Sequence, residues 1–318
     1  MLDHEDLKIC ASRDKPWTLL HHARSQGLVP YTQNGIPKII HQTWKNRDIP
    51  DVWSQGSQSW RSLHPDWLYI LWTDADLHEY ILTMHPEFLQ TWTQFTYHIQ
   101  RVDAIRYFIL QDFGGLYADL DLMPRENVEP YLNGVSDVFL VKSANEPCYT
   151  NMLMAARWPR QFQDNLWSRM IHRMKMIQDN PHWYFVLSKH FHVMMTTGPL
   201  SLTYVADQYT ESITVLSKVR FNHFGILDAG DLDYQQSQRW PIMYVLPGSS
   251  WHAWDSIAIN LLLKYKWWLV TVISMVLVVS TGLAMKAYSE HEGLRKLSLR
   301  HLYKKTYRPM IPIGEGSH

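Results

Sequence analysis

Apolar and polar residues alternate along the chain with two periods, and the changes of period mark its elements. Residues 36–44, IPKIIHQTW, form a short apolar run after a proline, as a strand buried in a parallel sheet should. Residues 52–64 return to the helical period with one apolar face, and 67–72, WLYILW, read as a second strand. Thr73 and Asp74 then offer side-chain oxygens to the free amides of a following helix, DADLHEYILTMH. Pro86 restarts a helix that runs to Phe95. Strand, helix, strand, helix in this order predicts a doubly wound parallel sheet. Residues 1–35 are polar and broken by Pro16, Gly27, Pro30 and Gly35, with one or two helical turns over 19–24 and no function assigned.

The stretch 101–121, RVDAIRYFILQDFGGLYADLD, carries the chemistry. Asp103, Arg106 and Tyr107 recur at helical spacing among Ala104, Ile105, Phe108, Ile109 and Leu110, which predicts a helix half buried against a sheet. Gly114 and Gly115 stop it and let the chain reverse into a strand over 116–120. In a strand of period two, Asp119 and Asp121 share a face, and paired carboxylates need something positive between them. A hard divalent cation, Mg²⁺ or Mn²⁺, that also grips a diphosphate is the natural partner of such oxygens. Asp103 and Arg106, one turn apart, also satisfy the spacing of a helix-surface ion pair.

Beyond Pro124, residues 137–142 predict a strand with Asn145 just past its carboxyl end, where a polar side chain could meet a sugar. Helices are expected over 149–157 and 162–178, a turn and helix start from Thr196 through Gly198 and Pro199, and short strands over 219–225 and 243–247. His182, His190 and His192 cluster in sequence without an adjacent acid or cysteine, which argues against a metal there. The two cysteines, Cys10 and Cys148, give neither a zinc spacing nor a disulfide framework. The formal charge is +0, so the total implies no nucleic acid or other polyanion as partner.

Residues 267–285, WWLVTVISMVLVVSTGLAM, hold no charge and approach the roughly 20 residues needed to span a bilayer. Lys264, Lys266, Trp267 and Trp268 make one interfacial collar, and Lys286 begins the other. Residues 286–318 add Arg295, Lys296, Arg300, Lys304, Lys305 and Arg308, so the positive-inside bias predicts a basic cytosolic tail and a luminal N-terminal part. Residues 1–30 show no signal-like apolar run, which leaves translocation to the membrane helix itself or to an anchor outside the sequence in hand.

The helix with Asp103 and Arg106, the double glycine, Tyr117, Asp119 and Asp121 together resemble the nucleotide-sugar site of glycosyltransferases with the GT-A fold. The wording HQTWKNRDIP, HPDW and ILWTD resembles the Och1-type mannosyltransferase family. PGSSWHAWD, residues 247–255, is similar to the fungal inositol-phosphorylceramide mannosyltransferases within it. The resemblance implies an α/β, GT-A-type (Rossmann-like) domain over 36–256 that transfers mannose, with retention, from GDP-mannose to inositol phosphorylceramide at a Golgi or other secretory-pathway membrane. It implies Mn²⁺ or Mg²⁺ as cofactor and a regulatory membrane subunit as a further partner.

Residue by residue, the resemblance puts Trp44 against the nucleotide base, Asp103 on sugar hydroxyls and Arg106 on hydroxyl or phosphate oxygens. Tyr117 joins the donor site, Asp119 lies toward ribose and sugar, and Asp121 sits on the metal with His252 completing its shell. Ser250 and Trp251 contact the diphosphate, Arg101 holds the helix or the diphosphate, and a similar Thr-Gly-Pro stands near the cleft. DLMP departs from the family, where another acid often follows the pair. A transferase with another nucleotide sugar or a glycan acceptor would keep every motif, and a catalytically silent regulatory subunit is the alternative of another class. A haloacid-dehalogenase-type phosphatase fits worse, because its acids are followed by Thr or Val, whereas Leu122, Met123 and Pro124 follow here.

Overall fold

The computed structural model describes residues 15–142, 148–158, 165–180, 188–209, 213–216, 242–246 and 265–306. Contacts divide the chain into two units, 1–253 and 254–318. In the first, α1 (Pro16–Ser25) precedes β1 (Ile39–Trp44), α2 (Asp51–Leu63), β2 (Leu68–Thr73) and α3 (Asp74–Met84). A 3₁₀ turn (Pro86–Phe88) leads into α4 (Leu89–Gln94), then α5 (His98–Phe113), β3 (Gly115–Ala118) and β4 (Leu122–Pro124). There follow β5 (Val138–Lys142), β6 (Tyr149–Ala156), α6 (Leu166–Asp179), α7 (Lys189–Thr196), α8 (Pro199–Ala206), β7 (Ile213–Leu216) and β8 (Met243–Val245).

The α/β class is as expected, but the sheet is mixed rather than wholly parallel. Its six strands run β2-β1-β3-β6-β5-β7, and β4 pairs β8 in a separate ribbon. β1 is parallel to β2 and β3, and β5 to β7, whereas β6 runs antiparallel to both β3 and β5. Of residues 149–157, expected as a helix, 149–156 are therefore a strand. Met, Leu and Ala are good helix formers, and YTNMLMAA carries no period of two. Pairing on both edges between β3 and β5 overrides that local preference.

Helix α5 packs deep against the sheet, with Tyr107, Phe108 and Phe113 in a cluster shared with Trp72, Tyr80 and Trp167. On the other face Trp60, Trp67, Leu116 and Phe139 form a second cluster. Gly114 and Gly115 join α5 to β3 at φ +61° and +87°. A Cβ on Gly115 would stand 2.6 Å from the Ile39 carbonyl, so the close approach of β3 to β1 requires glycine there. His41 locks the same corner: its Nε2 donates to the Gly114 carbonyl at 3.0 Å and its Nδ1 accepts from Trp72 Nε1 at 3.2 Å. Burial holds this imidazole neutral, down to about 3.

In the second unit α9 (Lys266–Thr306) is one helix of 41 residues. Val270–Tyr288 within it has mean hydropathy 1.8, is unburied, and is long and apolar enough to cross a membrane. That stretch lies three residues beyond the expected 267–285, and the helix continues into the basic tail rather than ending with the apolar run.

Candidate active site

Asp119 and Asp121 lie on a tight turn, not within a strand. β3 ends at Ala118, and the Leu122 amide returns to the Asp119 carbonyl at 3.0 Å. The turn is anchored on both sides: the Asp119 amide donates to the Met152 carbonyl at 2.8 Å, and the Leu246 amide to the Asp121 carbonyl at 2.7 Å. The acids thus sit where the chain leaves the large sheet for the β4–β8 ribbon, at the carboxyl end of β3. Open α/β sheets bind ligands at such strand ends.

Beneath this turn, α5 supplies a buried cation. The Arg106 Nη2 pairs with Asp103 Oδ1 at 2.8 Å, and its Nη1 lies 3.3 Å from Asp119 Oδ1. Nη1 also donates to the Asn151 carbonyl at 2.6 Å, and the guanidinium carbon lies 4.8 Å from the Tyr117 ring centre. The fork that the sequence offers to a ligand is therefore taken up by protein acceptors. The Tyr117 hydroxyl donates to Asp119 Oδ1 at 2.9 Å and in turn lies 3.0 Å from Thr43 Oγ1.

Asp103 is 6% exposed and is gripped from three sides. Beside Arg106, Asn151 Nδ2 donates to its Oδ1 at 3.3 Å and Thr197 Oγ1 to its Oδ2 at 3.3 Å. Burial nevertheless pushes its carboxyl up to about 7, against the pull of Arg106. Asp119 is likewise raised by burial, with Arg106 and Tyr117 opposing. Arg106, which burial alone would weaken as a base, is strengthened by Asp119, Tyr117 and Asp103 around it.

Asp121 differs from its neighbours. Its Oδ1 is buried and accepts no hydrogen bond among the described residues. Burial, and then the Asp119 carboxylate, push it up to about 7. Among the described residues, three acids thus face one guanidinium, and one of the acids holds an unsatisfied oxygen. Two hard carboxylate donors with excess negative charge suit Mn²⁺ or Mg²⁺, which binds through one or two carboxylates together with substrate phosphates. Among the described residues no group of three or more His, Cys, Asp or Glu converges as a metal site. His252, the expected third ligand, lies outside the described residues, as do Asn145, Ser250 and Trp251.

Trp44 closes β1, partly exposed, with its ring edge-on to Trp53 at 4.7 Å between centres. It packs against the small cluster of Trp53, Leu71 and Leu120, which links it to the acidic turn. Arg101 lies one turn before the ion-pair network and clamps the α4–α5 loop, donating to the Trp92 and Phe95 carbonyls at 3.2 and 2.9 Å.

Four participants are not singled out by the sequence pattern. Asn151 was hidden in the segment expected as a helix. Gln42, on β1, donates to the Asp119 carbonyl at 3.1 Å, and Tyr69 hydrogen-bonds Gln42 Oε1 at 2.7 Å. Alternation along β1 and β2 would have placed Gln42 and Tyr69 on one face had the register been known. Thr197 was foreshadowed by its Thr-Gly-Pro context.

Residues 50–139 match the family described as the glycosyltransferase sugar-binding region containing DXD motif. The chain is 34% identical over 221 residues to mannosyl phosphorylinositol ceramide synthase SUR1 of Saccharomyces cerevisiae, covering 70% of this chain and 53% of that protein. It is 32% identical over 224 residues to inositol phosphoceramide mannosyltransferase 3 of Schizosaccharomyces pombe, covering 70% and 57%. The chain spans about half the length of the relatives it matches. The turn bearing Asp119 and Asp121 falls inside the region that matches this DXD-containing glycosyltransferase family.

Proposed function

We propose that the chain transfers mannose from GDP-mannose to the inositol of inositol phosphorylceramide, with retention and with Mn²⁺ or Mg²⁺ bound. The domain over 36–256 would work on the luminal side of a Golgi membrane. The helix over 267–285 would anchor it, the basic segment 286–318 would face the cytosol, and a regulatory membrane subunit would accompany it. The observation that carries this reading is the buried Oδ1 of Asp121, which has no hydrogen-bond partner among the described residues, beside Asp119 and an arginine already committed to two other carboxylate contacts. The relatives' printed names support the sugar and the acceptor.

Asp121, Asp119 and His252 would hold the cation, which when bound offsets charge on the leaving diphosphate. Arg106 acts as a positioning residue: it fixes Asp103 and Asp119 and favours their ionised forms. Asp103 would accept from sugar hydroxyls, Trp44 would lie against the base, and Tyr117, which donates to Asp119, would orient that acid toward ribose and sugar. Asn145, Ser250 and Trp251 would complete the donor site. No side chain is assigned as nucleophile, and the leaving phosphate takes the proton of the acceptor hydroxyl.

Mass spectrometry of complex sphingolipids tests this in cells lacking the gene product, with the wild type or Asp121→Asn restored. Mannosylated inositol phosphorylceramide should return with the wild type only. Equal restoration by the variant would favour a catalytically silent regulatory subunit.

A further inference from the structure

At the carboxyl end of β2, two strands from the acidic turn, lies a cavity of about 440 Å³ with no role in the mechanism above. Asp74, Leu77 and His78 of α3 line it, with Trp92 of α4 and His98 and Arg101 of α5. Leu77 and Trp92, each 2% exposed, give it an apolar floor. Asp74 is its acidic group, with a side chain 34% exposed. One carboxylate oxygen of Asp74 is tethered by His98 Nε2 at 3.0 Å. This contact, the largest influence on His98, favours its charged form.

Asp74 is not needed to cap α3. Thr73 and Asp76 form the capping box there, with Asp76 N donating to Thr73 Oγ1 at 3.2 Å and Thr73 N to Asp76 Oδ2 at 2.8 Å. A carboxylate held by a histidine at the mouth of an apolar-floored cavity calls for a flat ligand with N–H donors on its edge.

The sheet order fixes where such a ligand would run. β1 lies between β2 and β3, and Trp44 is in register with Thr73, the residue before Asp74. The Asp74 amide points at the Lys45 carbonyl at 3.4 Å. From the end of β2 to the end of β3 is two strand spacings, roughly 10 Å. A nucleoside diphosphate extended from base to second phosphate bridges such a gap, with Trp44 against its base and Asp119 and Asp121 at its phosphates.

We infer that Asp74, steadied by His98, reads the donor base and selects guanine. This rests on the nucleotide-sugar reading above. Guanine presents two adjacent donors, N1–H and the exocyclic N2–H₂, which match the two oxygens of a carboxylate. Uracil presents one N–H between two carbonyls that would face the negative charge, and adenine lacks the paired donors.

The experiment is titration calorimetry of the full chain with Mn²⁺ and, in turn, GDP, inosine diphosphate and UDP. The wild type should bind GDP about tenfold more tightly than inosine diphosphate, which lacks the 2-amino group, and more tightly still than UDP. Asp74→Asn should lose on the order of ten- to hundred-fold for GDP and bind GDP and inosine diphosphate alike. Its melting temperature, read in parallel, should stay near the wild type's. A wild type that does not distinguish GDP from inosine diphosphate, or an Asp74→Asn that keeps the wild-type ratio, overturns the role of Asp74 and leaves a GDP donor standing. A wild type that prefers UDP overturns both.

Discussion

Arg106 Nη1 stands 3.3 Å from Asp119 Oδ1, and the Arg106 side chain is only 3% exposed. The acidic turn is therefore built on a buried cation that also holds Asp103. Removing one partner of such a pair is costly because it strands buried carboxylates, by about 3–5 kcal/mol. Arg106→Ala should lower the melting temperature by on the order of 10 °C and abolish transfer. Arg106→Lys keeps the charge but not the fork, so it should retain more stability than activity. A melt and a transfer assay on both variants check this, and wild-type transfer by Arg106→Lys would contradict the positioning role.

The acids predict a pH signature. Asp121 and Asp103 titrate in the folded chain near about 7, above the ordinary carboxylate value. The folded state therefore binds more protons than the unfolded state between about 4 and 7, and these groups cost stability as pH rises through that window. His41, held neutral down to about 3, acts oppositely below its unfolded value of about 6.5. Comparing wild type with Asp121→Asn cancels His41. Without metal, the variant should gain on the wild type as pH rises from about 5 to about 7.5, measured by thermal melts. With Mn²⁺ the wild type should recover, most at the higher pH, because the ligating carboxylate must be ionised.

Gly115 makes a sharper claim about the backbone. At φ +87°, with Ile39 O 2.6 Å from any added Cβ, Gly115→Ala meets both strain and overlap. Chemical denaturation should show a loss of at least about 2 kcal/mol. A neutral substitution would contradict the close approach of β3 to β1.

Much of this corner was legible in the sequence, for reasons that differ by residue. α5, the double glycine and the strand after it follow from period and from the conformations only glycine adopts freely. The acids were expected on that strand because period two continues through Asp119 and Asp121. The chain instead turns at Asp119 to join a second ribbon, and no local signal marks that choice of partner. β6 was misread for the same reason: its strand state is set by β3 and β5, distant in sequence, and with it went Asn151. Asn145, Ser250, Trp251 and His252 were legible only through resemblance and lie outside the described residues.

The apolar run of α9 predicts behaviour in membranes. Val276 and Val279 are 61% and 60% exposed, within the 19-residue apolar span. Placing Arg at both should cost about 5–7 kcal/mol of insertion. Alkaline carbonate should then release the double variant from membranes while the wild type stays in the pellet. Retention of both would show that other segments hold the chain.

The most direct measurement is a donor and metal panel on the purified chain with inositol phosphorylceramide in vesicles, wild type beside Asp121→Asn. Mannose transfer from GDP-mannose should require Mn²⁺ or Mg²⁺ and disappear in the variant. Transfer that persists in the presence of chelator and in Asp121→Asn, or that uses only a UDP-sugar, would contradict this.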